Sequence, residues 1–128
     1  MERRFRLQRS DDVRRVYDEG KAWPHPLLTL ILRPNGLDRT RLGFTAGRSV
    51  GGAVRRNRAK RLMREAARRL FDQFGVGWDV MVIARPRMRE VQESQVEAAL
   101  ASLLRRARLQ EEQRGIYPTA STVGEGRA

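Results

Sequence analysis

Apolar side chains recur at three- and four-residue spacing through the middle of this chain, from residue 53 to residue 74. Such spacing forms one face of an α-helix, so it predicts a helix over the whole stretch. The predicted apolar stripe consists of Ala59, Leu62, Met63, Ala66, Leu70 and Phe74. At about 100° per residue, the opposite side carries Asn57, Arg61, Arg64 and Arg68, and the stripe is flanked by Arg56, Arg58, Lys60 and Arg69.

A shorter helix is predicted near the N-terminus, where acidic residues precede apolar ones at helical spacing. Its signals are Ser10 as N-cap, Asp11 and Asp12 in the first turn, Val13, Val16 and Tyr17 as the apolar face, and Gly20 as the stop. The basic arm before it, residues 1–9, is either flexible or laid along a phosphate backbone.

Apolar runs of strand length predict three further segments. Residues 27–32 form an apolar run that only Thr29 interrupts. This run fits either a strand that is covered on both faces or a strand with one apolar face. Residues 34–36, Pro-Asn-Gly, predict a turn, so the alternating residues 40–45 are interpreted as the partner strand. Residues 78–84 predict another buried strand, which leads into a basic loop with Arg85, Arg87 and Arg89.

The last predicted helix follows a capping-box pattern, Ser94-Gln95-Val96-Glu97. Its core face consists of Val96, Leu100, Leu103 and Ala107, and Arg105, Arg106 and Arg108 are placed at its C-terminal end, where cations suit the helix dipole. Polar, Gly-rich residues then predict a disordered tail. We therefore expect one domain over residues 1–110 and a tail over 111–128. The order of elements predicts an α/β sandwich with helices on a small mixed sheet.

Charge changes this picture, because the basic helix is too positive for an ordinary surface helix. The chain has 27 Lys plus Arg against 15 Asp plus Glu, a net charge of +12. Solvated helices normally mix both signs, whereas only Glu65 interrupts the cations here. Crowded cations repel one another unless a polyanion neutralises them, so the helix predicts nucleic-acid binding rather than a merely solvated face.

The Gly-rich loop before this helix, residues 47–52, leaves two interpretations open. Its backbone N–H groups could cradle a phosphate at the helix N-terminus, or it could be a flexible connector. It lacks the Gly-Lys-Ser/Thr ending of a nucleotide P-loop.

Residues that could carry catalysis or hold a metal are scarce. There is no Cys, and the one histidine, His25, stands between two prolines with no second ligand beside it. Asp72 and Asp79 begin no recognisable two-metal set. We expect no catalytic residue in this protein, and we assign no metal site to it. No apolar run could cross a membrane and no signal segment follows Met1, so we expect a cytoplasmic protein without membrane contact.

One ordered motif carries a resemblance to a known family. The run Ala53-Val54-x-Arg56-Asn57-Arg58-x-Lys60-Arg61-x-x-Arg64-Glu65 resembles the Arg-Asn-Arg motif of the bacterial ribonuclease P protein component. The similarity covers residues 5–109, since the short first helix, Gly43-Phe44 before the loop, the strand ending at Arg85 and the last helix occur in family order.

The resemblance implies an α+β fold like the second domain of ribosomal protein S5. That fold is a four-stranded mixed sheet with helices packed on one side and a left-handed βαβ crossover carrying the basic helix. It also implies a subunit that assists an RNA enzyme in removing the 5′ leader from precursor tRNA. The implied partners are that catalytic RNA and precursor tRNA, with no obligatory protein partner. Mg²⁺ would be bound mainly by the RNA and the substrate.

Site residues are carried over by position. The residues expected on the catalytic RNA are Arg56, Asn57, Arg58, Lys60, Arg61 and Arg64, joined by Arg68 of the same helix and Arg48 of the Gly-rich loop. The cleft for the leader is expected to contain Tyr17, Val13, Ile31 and Phe44, where aromatic stacking would be sequence-tolerant. Val13 and Ile31 replace aromatics common in the family, and the face that Phe44 occupies is open.

Two other classes of protein compete with this interpretation. A ribosomal or other structural RNA-binding protein would share the charge and the fold class, although its basic residues more often extend into a long tail. Against a membrane-surface helix protein, the apolar stripe is needed for the core, and against a DNA-binding helix protein, no helix-turn-helix spacing precedes the helix. RNA that co-purifies with the protein would discriminate between the first two classes.

Overall fold

The computed structural model describes residues 2–114, with side chains described up to residue 108. Three helices and four strands make up this part of the chain, joined by short 3-10 turns at Arg3–Phe5, Arg48–Val50, Phe71–Phe74 and Pro86–Glu90. The helices are α1 (Ser10–Glu19), α2 (Ala53–Arg69) and α3 (Glu93–Arg114). The strands are β1 (Lys21–Pro24), β2 (Leu28–Pro34), β3 (Arg41–Ala46) and β4 (Trp78–Ala84).

The four strands form one mixed sheet in the order β1-β2-β4-β3. Strand β2 is antiparallel to β1 and to β4, whereas β3 is parallel to β4, and α2 makes the crossover between them. The expected α+β class and the mixed four-stranded sheet are confirmed, while the left-handedness of the crossover stays a prediction. The expectation that residues 40–45 pair with residues 27–32 is wrong, because β4 lies between these two strands.

Strand β4 takes the central position because it is apolar on both faces. Val80 and Val82 face the larger hydrophobic core, and Met81 faces a smaller one. Strand β3 instead alternates Arg41, Gly43 and Thr45 with apolar residues, which suits an edge strand.

Helices cover both faces of the sheet. The larger core joins alternate residues of the sheet to α2 and α3. The smaller core lies under α1 and consists of Leu7, Val16, Ile31 and Met81. The implied packing of helices on one side only is therefore wrong. Successive side chains of a strand point to opposite faces, so the apolar residues on the second face of β2 and β4 need a cover of their own.

Several predicted boundaries shift in the structure. The basic helix ends at Arg69 rather than running to Phe74, whose side chain is buried from a separate 3-10 turn. Ser10 begins α1 without a side-chain capping bond, so its predicted N-cap role is wrong. Strand β1 was missed because it is short and buries only Trp23.

The last helix also differs from its prediction at both ends. It begins at Glu93, and Gln95 caps it by accepting a hydrogen bond from the N–H of Gln92 at 2.9 Å, so the predicted box starting at Ser94 is wrong. Its core face is confirmed. The helix continues through Arg114, which places Arg106 and Arg108 inside it rather than at its end. Residues 111–114 of the predicted tail are therefore helical, and the rest of that tail lies outside the described residues.

Gly20 lets α1 end directly against β2. A Cβ at this position would lie 2.5 Å from the carbonyl oxygen of Val16 and 2.7 Å from the Cγ2 of Ile31. Its N–H also donates to Val16 O at 2.9 Å, which closes the helix. The glycine is thus required by close packing, since its φ of −79° is accessible to any residue.

We expect Gly20→Ala to destabilise the fold by about 1–3 kcal/mol, the usual cost of overpacking. Gly47→Ala is the matched control, because a Cβ there meets nothing within 4 Å and its φ is −86°. That control should change stability by no more than about 1 kcal/mol. Urea unfolding of both variants measures the difference, and equal midpoints would contradict the packing argument.

Candidate nucleic-acid interface

The apolar stripe of α2 is buried as predicted, which fixes where its cations point. Ala59, Leu62, Met63 and Ala66 all lie in the larger core. The opposite face is exposed to solvent and presents Asn57, Arg61, Arg64 and Arg68. The amphipathic division of this helix is therefore confirmed.

Two arginines at the C-terminal end of α2 already have carboxylate partners. Arg68 pairs with Glu65 at 2.9 Å, and Arg69 pairs with Glu93 at 2.8 Å and with Glu97 at 3.1 Å. The hydrogen bond and charge of Arg68 lower the pKa of Glu65, and those acidic partners raise the pKa of Arg69. Because these groups are exposed, the pairs add little stability, but they compensate the charge at this end.

Half-buried arginines of the motif have structural neighbours. Arg58 donates from Nη2 to the carbonyl oxygen of Val91 at 2.7 Å, which ties α2 to the segment before α3. The Nε of Arg56 is buried without a hydrogen-bond partner among the described residues. Arg58 therefore uses one of its hydrogen-bond donors within the folded protein.

The remaining cations of α2 form an uncompensated patch. Within residues 2–108, whose side chains the structure describes, no carboxylate lies within 4 Å of the charged groups of Arg55, Lys60, Arg61 or Arg64. Arg55 also lies in the first turn of α2, where a cation opposes the helix dipole, which is positive at the N-terminus. Both effects disfavour the free protein, and a polyanion would relieve both.

The loop before α2 contains a short helical turn with one buried side chain. Residues Arg48–Val50 form a 3-10 turn, and Val50 is fully buried. Gly51 has a φ of +141°, a conformation that side chains rarely adopt. Gly52 is the N-cap and offers no side-chain acceptor to the first turn of α2. Arg48 is exposed beside this helix start, and the phosphate-cradle interpretation of the loop stays a prediction.

Three of the four residues predicted for the leader cleft lie on the α1 side of the sheet. Val13 is half-buried on α1, and Ile31 is buried beneath it with only 8% of its surface exposed. Tyr17 was expected on the apolar face of α1, but 47% of its surface is exposed. Partial burial raises the pKa of its hydroxyl. The exposed ring of Tyr17, rather than Ile31, has surface to offer a ligand.

Phe44 lies on the opposite face of the sheet. It packs against the larger core, and the guanidinium of Arg64 lies 6.0 Å from the centre of its ring. The structure therefore brings Phe44 together with α2 and not with Tyr17. Alternation along β3 decides this, since the neighbouring Gly43 faces Met81 and Leu7.

A buried ion pair that the sequence argument missed holds α1 to the sheet. Asp79, with 1% of its side chain exposed, accepts two hydrogen bonds from Arg41, at 2.7 and 2.8 Å. Arg41 also reaches Asp12 on α1 at 3.3 Å, and Asn35 donates to Asp79 at 2.9 Å. Hydrogen bonding to Asp79 is the main reason that the pKa of Arg41 is raised. The signal in the sequence for this ion pair is Asp79 itself, an acidic residue inside an otherwise apolar strand.

His25 is a loop residue, as expected. Its Nδ1 accepts a hydrogen bond from the N–H of Leu27 at 3.0 Å, and burial together with the charge of Arg106 lowers its pKa. Among the side chains described, those of residues 2–108, no group of three His, Cys, Asp or Glu could hold a metal ion. No helix within residues 2–114 is long and apolar enough to span a membrane.

Comparison with known proteins settles the family. The family model for ribonuclease P matches residues 1–108. The chain belongs to the ribonuclease P protein component family. It is therefore the protein subunit of ribonuclease P, the endoribonuclease that processes the 5′ end of tRNA, and it associates with the RNA of that enzyme. The competing classes, a ribosomal protein and a membrane or DNA-binding helix protein, are set aside by this match.

Individual relatives agree in sequence and in structure. The ribonuclease P protein component of Herpetosiphon aurantiacus is 43% identical over 109 residues, which cover 85% of this chain and 89% of that protein. The RNase P protein from Thermotoga maritima superposes with a TM-score of 0.72 at 34% identity, covering 79% of this chain and 96% of that one. The Staphylococcus aureus RNase P protein gives a TM-score of 0.72 at 27% identity, with coverages of 80% and 94%.

The two faces of α2 predict opposite mutational effects. Replacing Arg61 and Arg64 together by Ala should weaken RNA binding. The plot of log binding constant against log salt concentration should become shallower by about 1 to 2, because each neutralised phosphate contributes about 0.9 to that slope in B-DNA. The melting temperature should hardly move, since both side chains are exposed. Filter binding across a salt series measures the slope.

Leu62→Ala is the matched packing variant on the same helix. It should cost about 2–5 kcal/mol of stability and keep the salt slope. An unchanged slope in the double arginine variant would mean that this face is only solvated.

Proposed function

We propose that this ribonuclease P subunit binds the catalytic RNA through the basic face of α2 and guides the 5′ leader of precursor tRNA along the α1 side of the sheet. The proposed binding of the catalytic RNA rests on the uncompensated patch formed by Arg55, Lys60, Arg61 and Arg64. The exposed ring of Tyr17 supports the proposed contact with the leader, because aromatic rings stack on single-stranded bases of any sequence.

The side chains of this chain would act by binding and orientation. Arginines and Lys60 on α2 neutralise phosphates of the folded RNA, and this neutralisation is largely independent of sequence. Tyr17 orients the leader relative to that RNA. The two proposed surfaces belong to helices on opposite faces of the sheet, so one protein could contact the enzyme RNA and the substrate together.

Mg²⁺ is the metal that the family implies, and the described residues do not fit a site for it. Asp12 and Asp79 are paired with Arg41, and the side chains described up to residue 108 contain no cluster of three acidic or histidine ligands. Mg²⁺ prefers oxygen ligands and is commonly held by phosphates with a few carboxylates. We therefore assign the metal to the RNA and the substrate and no catalytic step to this chain.

Reconstitution tests the proposal as a whole. Pure, RNA-free protein incubated with precursor tRNA and Mg²⁺ should produce no mature 5′ end, and addition of the cognate catalytic RNA should restore cleavage at the correct position. Gel analysis of end-labelled precursor gives both results. Correct maturation by the protein alone would contradict the assignment of the chemistry to RNA.

The leader contact predicts a dependence on leader length. The protein should improve substrate affinity more as the leader grows over its first several nucleotides, and then the benefit should level off. Tyr17→Ala should reduce that benefit by about 1–3 kcal/mol, the value of one stacked base, whereas Tyr17→Phe keeps the ring and should retain it. Equilibrium binding of a leader-length series measures this. The same length dependence in Tyr17→Ala would place the leader elsewhere.

A further inference from the structure

A cleft lies where the N-terminal arm meets the outer edge of β3 and the side of α2. Its volume is about 430 Å³, within the range of small-ligand sites. The arm contributes Arg6, Leu7 and Gln8, β3 contributes Gly43 and Phe44, and α2 contributes Arg64. The cleft thus adjoins the basic face of α2 and is distinct from the proposed leader surface, to which Tyr17 belongs.

The arm forms one wall by adding itself to the edge of β3. The N–H of Leu7 donates to the carbonyl oxygen of Leu42 at 2.8 Å, in a short parallel bridge. Gly43 permits this approach, since a Cβ there would lie 3.1 Å from the carbonyl oxygen of Leu7 and 2.5 Å from the sulfur of Met81. The chain then turns away into α1.

Backbone groups of β3 also face the cleft. Leu42 directs its carbonyl toward the arm, and alternate residues of a strand direct their N–H and C=O groups to the same side. Phe44 therefore directs its backbone donor and acceptor toward the open edge beyond the arm.

The Phe44 ring and the Arg64 guanidinium suit a planar, electron-rich ligand. The guanidinium carbon lies 6.0 Å from the ring centre, well beyond the roughly 3.5–4 Å of two groups in direct contact. A base that stacks on both groups would require a separation between the guanidinium and the ring of about twice the 3.4 Å stacking distance of nucleic acids. Arg64 is exposed to solvent, and a shift of its side chain by about 1 Å would admit a base between the two groups.

The charged and polar groups of the cleft indicate what the ligand carries besides a planar group. Arg6 and Arg64 are cations on two of its walls, and none of its lining residues is acidic. Arginine binds phosphate in bidentate geometry, and the amide of Gln8 can both donate to and accept from the edge of a base. A ribonucleotide offers all three parts: a phosphate, a planar base and a hydrogen-bonding edge.

We propose that this cleft holds one unpaired nucleotide of the ribonuclease P RNA, with its base on Phe44 and its phosphate between Arg6 and Arg64. The RNA subunit is the occupant because Arg64 belongs both to the cleft and to the basic face of α2. The inference rests on the proposed binding of the catalytic RNA by that face and adds a specific contact to it.

Paired substitutions at Phe44 test the stacked base. Phe44→Leu keeps an apolar side chain against the core but removes the aromatic face, and should weaken binding to the catalytic RNA alone by roughly 5- to 150-fold. Phe44→Tyr keeps the ring and should bind within about twofold of the unchanged protein. The salt slope should be the same in all three proteins, because no charge is lost. Melting temperatures check that each variant is folded.

Crosslinking gives a second readout, which reports the position of the contact rather than its strength. With p-benzoyl-phenylalanine in place of Phe44, irradiation of the reconstituted holoenzyme should crosslink one discrete unpaired nucleotide of the RNA subunit. Primer extension would map that position.

Three outcomes would overturn the inference. Equal affinities of Phe44→Leu and the unchanged protein would remove the stacking contact. Crosslinks scattered over the RNA would exclude a specific nucleotide, and a crosslink to the leader of precursor tRNA would assign the cleft to the substrate. If the unchanged protein itself failed to bind the catalytic RNA with a steep salt dependence, the proposed function would fail as well, so the two failures are distinguishable.

Discussion

Burial of β4 on both faces is the constraint on which the rest of this structure depends. Its valines must be covered on one side and Met81 on the other, so the sheet requires helices on both faces. Because β4 also pairs with two neighbours, β2 and β3 are kept apart, and the parallel neighbour requires a long crossover. That crossover is α2. The position of the basic helix is thus a consequence of how the central strand is covered.

Packing and charge divide α2 between two tasks. Its small and aliphatic residues are consumed by the core, which forces the arginines outward. Some of these arginines stabilise the fold: Arg58 reaches the segment before α3, and Arg69 reaches two carboxylates of α3 itself. By contrast, Arg55, Arg61 and Arg64 have no carboxylate within 4 Å among the residues whose side chains the structure describes. The free subunit therefore carries an electrostatic cost that the RNA of ribonuclease P can offset.

The ion pair between Arg41 and Asp79 connects this architecture to the α1 side. A carboxylate that is 1% exposed must be paired, since an isolated buried charge costs far more than a paired one. The pair also holds Asp12, at the start of the helix that bears Tyr17. Gly20 fixes the other end of α1 against β2. An element with few apolar contacts is thereby held at both ends, in the position that the proposed leader contact requires.

The sequence by itself determined the local features of this subunit. Helical spacing predicted the buried stripe of α2, an apolar run predicted β4 with its bounds, and the ordered Arg-Asn-Arg motif led to the family. These features are visible because periodicity and motif spacing are properties of neighbouring residues. The tertiary structure alone decided which strands pair, which face Phe44 occupies and which arginines remain unpaired. Each of those depends on contacts between residues far apart in the chain, such as Arg58 with Val91 or Arg41 with Asp79, and periodicity along one segment carries no information about its distant partner.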